Sequence, residues 1–193
     1  LSAAEISAIA SDNPLIMEQF ELSEKINNLE MLERAHTKEV LDAKERIKKA
    51  ERQIATDEIT LEQLKKDLAS RKDTAGDKFV LVVGGNTYTE RKAAGAAIIA
   101  AAKKHLDLKA DTEISTEIGT FAGFKLLVTS KGDMLLRGVG QYRGTVNMDD
   151  ASGTISRLQN VADRIETMMK ATETRIAENK SAIKKLEKTA ASS

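Results

Sequence analysis

The side chains best placed to do chemistry in this sequence are basic ones between Phe79 and Met148, because there is no Cys and there are only two His. Arg91, Lys92, Lys125, Arg137 and Arg143 can neutralise a nucleic-acid backbone, and Tyr142 beside Arg143 can stack on an exposed base. Against this, residues 79–150 carry nine basic and eight acidic side chains, a near balance that also describes an ordinary solvated surface. For Arg91 the competing reading is an ion pair that fixes a helix onto strands.

Two glycine pairs could cradle a phosphate, Gly84-Gly85-Asn86 and Gly138-Val139-Gly140. A phosphate loop runs from a strand straight into a helix N-terminus, with Lys and Ser/Thr following. Here the first pair leads into another strand and the second falls within one, so both read as turns, bulges or bends. With no Cys there is no disulfide, thiolate nucleophile or Cys-ligated zinc, and His36 and His105 are the only histidines. No catalytic residue, metal ligand or cofactor is expected in this chain, and no small-molecule substrate.

The elements that would position the basic residues follow from composition. Among 193 residues, charged side chains make up 31% and aromatics only 3%, so the apolar content should line something elongated rather than a large ring-filled core. Ten of the 11 glycines fall between Gly76 and Gly144, and this shift divides the chain into residues 1–78, 79–150 and 151–193. The first part carries an a/d series from Leu22 through Ile26, Leu29, Glu33, His36, Val40, Ala43, Ile47, Ala50, Ile54, Asp57, Leu61 and Leu64 to Leu68, with eleven of fourteen positions apolar. That 3.5-residue repeat specifies a coiled-coil seam. Pro14 suits its first turn, with Asp12 or Asn13 as cap.

The last part repeats the pattern from Ile155 to Ala190, with its start at Gly153-Thr154 and Thr154 or Ser156 as cap. Two such stripes flanking one insert can pair antiparallel as arms of a hairpin; a homo-oligomer through the seam remains the other option. The first helix is the longer, so Leu15, Ile16 and Phe20 should overhang the pair. Polar seam positions such as Glu33, His36 and Asp57 should fix register or lie beyond the partner.

Within the insert, Phe79–Val83 and Thr87–Thr89 read as a hairpin, Glu90–His105 as a helix capped by Thr89, and Thr112–Ile118, Phe121–Ser130 and Met134–Tyr142 as three strands. Its expected core includes Phe79, Leu81, Val83, Ile98, Phe124, Leu126, Val128 and Leu135. The fold class expected is therefore α+β: a long antiparallel two-helix coiled-coil hairpin with a small ββαβββ domain inserted at its tip. The longest apolar run, Ala93–Ala102, is too short to span a bilayer, which needs about 20 residues. The chain opens on Leu1 without the basic start of a signal peptide, and reads as a piece of a longer intracellular protein.

Four phrases, in order over nearly the whole chain, are similar to a known family. They are Ser11-Asp-Asn-Pro-Leu-Ile-Met-Glu18 with Leu29-Glu-Met-Leu32, then Thr87-Tyr-Thr-Glu-Arg-Lys-Ala-Ala-Gly95, then Ile118-Gly119 with Gly123-Phe-Lys-Leu126, then Gly153-Thr-Ile-Ser-Arg-Leu-Gln-Asn160. They resemble an accessory coiled-coil and α+β segment of the large SWI/SNF-type helicase and adenine-specific DNA methylase proteins carried by plasmids, phages and conjugative elements. The resemblance implies a cytoplasmic, ATP-dependent parent acting on DNA. It also implies that this segment, which has no Walker, DEAD/DEAH or Asn-Pro-Pro-Tyr phrase, is a non-catalytic arm whose partner is DNA or the helicase body of the same chain. A purely structural spacer or oligomerisation module is the alternative.

Overall fold

The computed structural model describes residues 2–192 and is an α+β protein. Its elements run α1 (Ala3–Asp12), α2 (Pro14–Ser70), a 3-10 turn (Gly76–Lys78), β1 (Leu81–Val83), β2 (Asn86–Tyr88), α3 (Arg91–His105), β3 (Ser115–Phe121), β4 (Phe124–Thr129), β5 (Asp133–Arg137), β6 (Gln141–Thr145) and α4 (Ala151–Ala191). No described helix is long and apolar enough to cross a membrane. The chain divides into two compact units: residues up to Gln53 with those from Glu178 onward, and Ile54–Ala177.

In the first unit, Ser2 and Glu5 bond each other's backbone N–H at 3.2 and 2.9 Å, a reciprocal capping box that starts a helix the heptad count did not include. The next start falls where expected: Asn13 Oδ1 accepts from the Leu15 N–H at 3.1 Å, and Pro14 occupies the first turn, where its missing N–H costs nothing. Val40 and Ala43 are buried and Ile47 and Ala50 half-buried, as are the α4 seam residues Asn179, Ile183, Leu186 and Ala190. Leu186 and Thr189 share a cleft with Ala35, Lys38, Ala43 and Arg46, which sets the two helices side by side. The seam positions Leu22, Ile26, Leu29 and Glu33 are exposed.

The second unit is built on a six-stranded antiparallel sheet of order β2-β1-β3-β4-β5-β6. Alternation along each strand sends Leu81, Phe121, Phe124, Leu126, Val128, Met134 and Leu136 to one face. There they form a single core with Ala94 and Ile98 of α3, Leu64 of α2, and Ile155, Leu158, Val161, Ala162 and Ile165 of α4. Every core residue expected between Phe79 and Leu135 is buried. Gly95 lets α3 touch the start of α4, since a Cβ there would stand 2.0 Å from the Ala151 carbonyl oxygen. The polar seam position Asp57 is buried and takes two bonds from Arg175, at 2.8 and 2.9 Å, so a charge-assisted fork holds α2 and α4 in register there. These bonds hold the Arg175 guanidinium above its ordinary pKa.

Local expectations required four corrections. The strand expected over Met134–Tyr142 is a hairpin of β5 and β6, so the order is ββαββββ; the Gly138 N–H donates to the Gly140 carbonyl at 2.9 Å and closes the turn. The strands expected over Thr112–Ile118 and Phe121–Ser130 span Ser115–Phe121 and Phe124–Thr129, because Ala122 and Gly123, with φ of 55° and 86°, make the turn between them. Helix α4 begins at Ala151, capped by Asp150 Oδ1, which accepts from the Gly153 N–H at 2.8 Å. Thr154 is buried and bonds Asn147 instead. Helix α3 begins at Arg91, preceded by Glu90 rather than Thr89, without a side-chain cap bond. The Gly84-Gly85 turn is as expected, with both residues at positive φ.

Candidate nucleic-acid interface

The six candidate residues do not form one cluster. Lys125 and Arg137 do meet: they are directly paired across β4 and β5, on the sheet face turned away from the core, and both are exposed. Their row crosses the whole sheet through Thr87, Val82, Thr120, Lys125, Arg137 and Gln141. Arg137 points along it, donating from Nε and Nη2 to Gln141 Oε1 at 3.1 and 2.9 Å. Like charges directly opposed across strands repel. Among the described residues neither Lys125 nor Arg137 has an acidic partner in a salt bridge, so the sheet presents an uncompensated cationic pair.

Arg143 lies on the same face, one row on, but its charge is spent within the fold. Its guanidinium binds Glu113 Oε1 and Asp133 Oδ2, each at 2.6 Å, and so ties the loop after α3 to the sheet. The pair shifts as such a contact must: Arg143 is held above its ordinary range chiefly by hydrogen bonding to Glu113, and the Glu113 carboxyl is held down chiefly by Arg143. Beneath this bridge Leu127 and Leu135 are paired and buried, outside the main core.

Tyr142 requires a correction as a stacking residue: its ring points into the core and packs against Phe124, with ring centroids 6.3 Å apart. Its hydroxyl donates to Asp67 Oδ2 at 2.5 Å. Asp67, on α2 and 1% exposed, also accepts from the Val139 N–H at 2.7 Å and the Gly140 N–H at 2.8 Å. Its carboxylate thus occupies the cradle formed by the Gly138–Gly140 turn. Oδ1 stands 2.3 Å from where a Gly138 Cβ would be, so the glycine is needed for this approach. Burial first, then Asp67, pushes the Tyr142 phenol above its usual range. A ring so held cannot reach a base.

Arg91 sits over the Phe79 ring, 5.1 Å from its centroid, a cation–π contact that holds the start of α3, and among the described residues it has no acidic partner in a salt bridge. It lines a pocket of about 430 Å³ together with Arg71, Lys72, Asp73 and Asp163. Arg71 is engaged there, donating to the Ala162 carbonyl at 2.9 Å. Lys92 is exposed on the first turn of α3.

Two arginines of α4 join the picture. Arg157 and Arg164 are seven residues apart on α4, hence on one helical face, and line an open groove of about 900 Å³ beside the edge strand β6. Thr145, Asn160 and Thr167 line it too, and Asp163 is its one acidic side chain. Arg164 donates to the Arg143 carbonyl at 2.9 Å and Arg157 to the Thr145 carbonyl at 3.4 Å, covering backbone acceptors that an edge strand otherwise leaves open. Arg164 meets β6 two residues from Gln141, the partner of Arg137, so groove and cationic pair adjoin the same strand. The signal available in the sequence was the +3 formal charge of residues 151–193, against +1 for 79–150 and −4 for 1–78.

Among the described residues no group of three or more His, Cys, Asp or Glu is placed to hold a metal. No protein-family model matches the chain, and no curated protein or solved structure matches it.

Proposed function

We propose that this chain is a non-catalytic accessory arm that holds DNA for a larger cytoplasmic helicase or translocase of a mobile element. In this reading α2 and α4 form an antiparallel coiled-coil hairpin, and the sheet is the insert between its arms. The opposed run of their contacts supports the hairpin: Asp57 binds Arg175, while Arg71, later on α2, binds Ala162, earlier on α4. The parentage rests on the four phrases from Ser11 to Asn160. The DNA contact rests above all on one observation: Lys125 and Arg137, both exposed, face each other across β4 and β5 without an acidic partner, a costly arrangement that a polyanion relieves. Arg157 and Arg164 extend the basic surface around the β6 edge.

The test is binding of labelled single-stranded and duplex DNA by fluorescence anisotropy over a salt series. In the double variant Lys125→Glu/Arg137→Glu, affinity at low salt should fall about tenfold and the log–log salt slope by about 1.8, the loss of two phosphate contacts. Unchanged affinity and slope would refute the DNA reading. It would leave the structural reading, in which the chain is a spacer or oligomerisation module; the intramolecular commitments of Arg91 and Arg143 favour that alternative.

A further inference from the structure

We propose that the N-terminal part of α2 pairs with the same segment of a second copy of this chain, as a short parallel two-stranded coiled coil. The observation behind it is a stripe of large apolar side chains on the helix surface: Leu15, Leu22, Ile26, Leu29 and Leu32 are each more than half exposed. This stripe continues the heptad phase that is covered from Val40 onward. In that phase Leu15, Leu22 and Leu29 take d, and Gln19 and Ile26 take a. Met17 and Phe20, on the opposite face, are half-buried.

Two features select a second copy in parallel register, and the area admits one. Leu at d with Ile at a is the combination that favours two parallel strands, and a single polar a residue, here Gln19, fixes register at a cost in stability. Charge complementarity points the same way. Lys25 is a g position and Glu30 the following e position, so a parallel dimer sets Lys25 of each copy beside Glu30 of the other, twice. An antiparallel pair centred on Leu22 and Ile26 would instead set Lys25 against Lys25. The area also suffices: two such stripes cover on the order of 1,000 Å², the lower range of specific interfaces. Glu33, at the next a position, would bring two carboxylates together and so ends the seam. The dimer is therefore weak and concentration-dependent, and it is independent of the DNA reading.

The chain has no native cysteine, which makes the geometry directly testable. Sedimentation equilibrium should show mass rising from 21.0 kDa towards twice that value with concentration. Under mild oxidation Leu22→Cys should form a covalent dimer, whereas Glu24→Cys, at an f position away from the seam, should not. Lys25→Glu should weaken association severalfold and Lys25→Glu/Glu30→Lys should restore it. These side chains are exposed, so unchanged far-UV circular dichroism verifies folding of each variant. A monomeric mass up to about 1 mM chain, equal cross-linking at positions 22 and 24, or failure of the charge swap to restore association overturns the proposal. Loss of dimer with DNA binding intact separates it from the function proposed above.

Discussion

Replacing Asp67 by Ala should destabilise the fold of Ile54–Ala177 more than any surface substitution, and the size of the loss can be worked out. The carboxylate accepts three hydrogen bonds, from the Val139 and Gly140 N–H groups and from the Tyr142 hydroxyl. A buried donor left without its charged acceptor costs about 1–3 kcal/mol. The two backbone donors lie in a turn where Val139 is 57% exposed, so water can recover much of their share, whereas the hydroxyl is buried and cannot be rehydrated in place. Removing the carboxylate also relieves its own desolvation, which lowers the total. The net is about 3 kcal/mol, a large fraction of the stability of a small domain. Urea unfolding followed by circular dichroism measures it. Hydrogen exchange adds a local readout, because the Val139 and Gly140 amides should lose protection before the rest of β5 and β6. A loss below about 1 kcal/mol with those amides still protected would refute the claim that Asp67 holds the hairpin turn.

Two further outcomes follow from the same geometry. The Tyr142 phenol has a raised pKa, so its stabilising effect is complete below the ordinary phenol value near pH 10 and is lost as pH rises above it. Between about pH 7 and about pH 10.5 the wild type should therefore lose about 0.8 kcal/mol more stability in urea unfolding than Tyr142→Phe, with equal losses refuting the assignment. Gly95→Ala sets two effects against each other. Helix propensity favours Ala by about 1 kcal/mol, but the new Cβ would stand 2.0 Å from the Ala151 carbonyl oxygen, which backbone movement must relieve at about 1–3 kcal/mol or more. The clash wins, and the melting temperature should fall; a rise would show that α3 does not pack as closely as described.

Features set by neighbours along the chain were legible in the sequence. The heptad series marks residues that are buried or half-buried from Val40 on α2 and throughout α4, because a 3.5-residue period is a property of one helix face. The Gly84-Gly85 turn and the core residues Phe124, Leu126 and Val128 of β4 were legible for the same local reason. The capping box Ser2-Ala3-Ala4-Glu5 is a local signal of the same kind. Only the tertiary structure decided what the chemistry-bearing residues do. Gly138-Val139-Gly140 read as an irregularity within a strand until Asp67, more than seventy residues away, filled its turn. Tyr142 and Arg143 are neighbours, yet strand alternation sends one to Asp67 under the sheet and the other to Glu113 and Asp133 above it. Charge counts treat Arg143 and Arg137 alike, but the fold brings Glu113 and Asp133 to the first and sets the second opposite Lys125. Spacing along a chain prescribes period and turn, whereas hydrogen-bond and ion-pair partners are chosen by distance in space, and distance exists only once the sheet has formed.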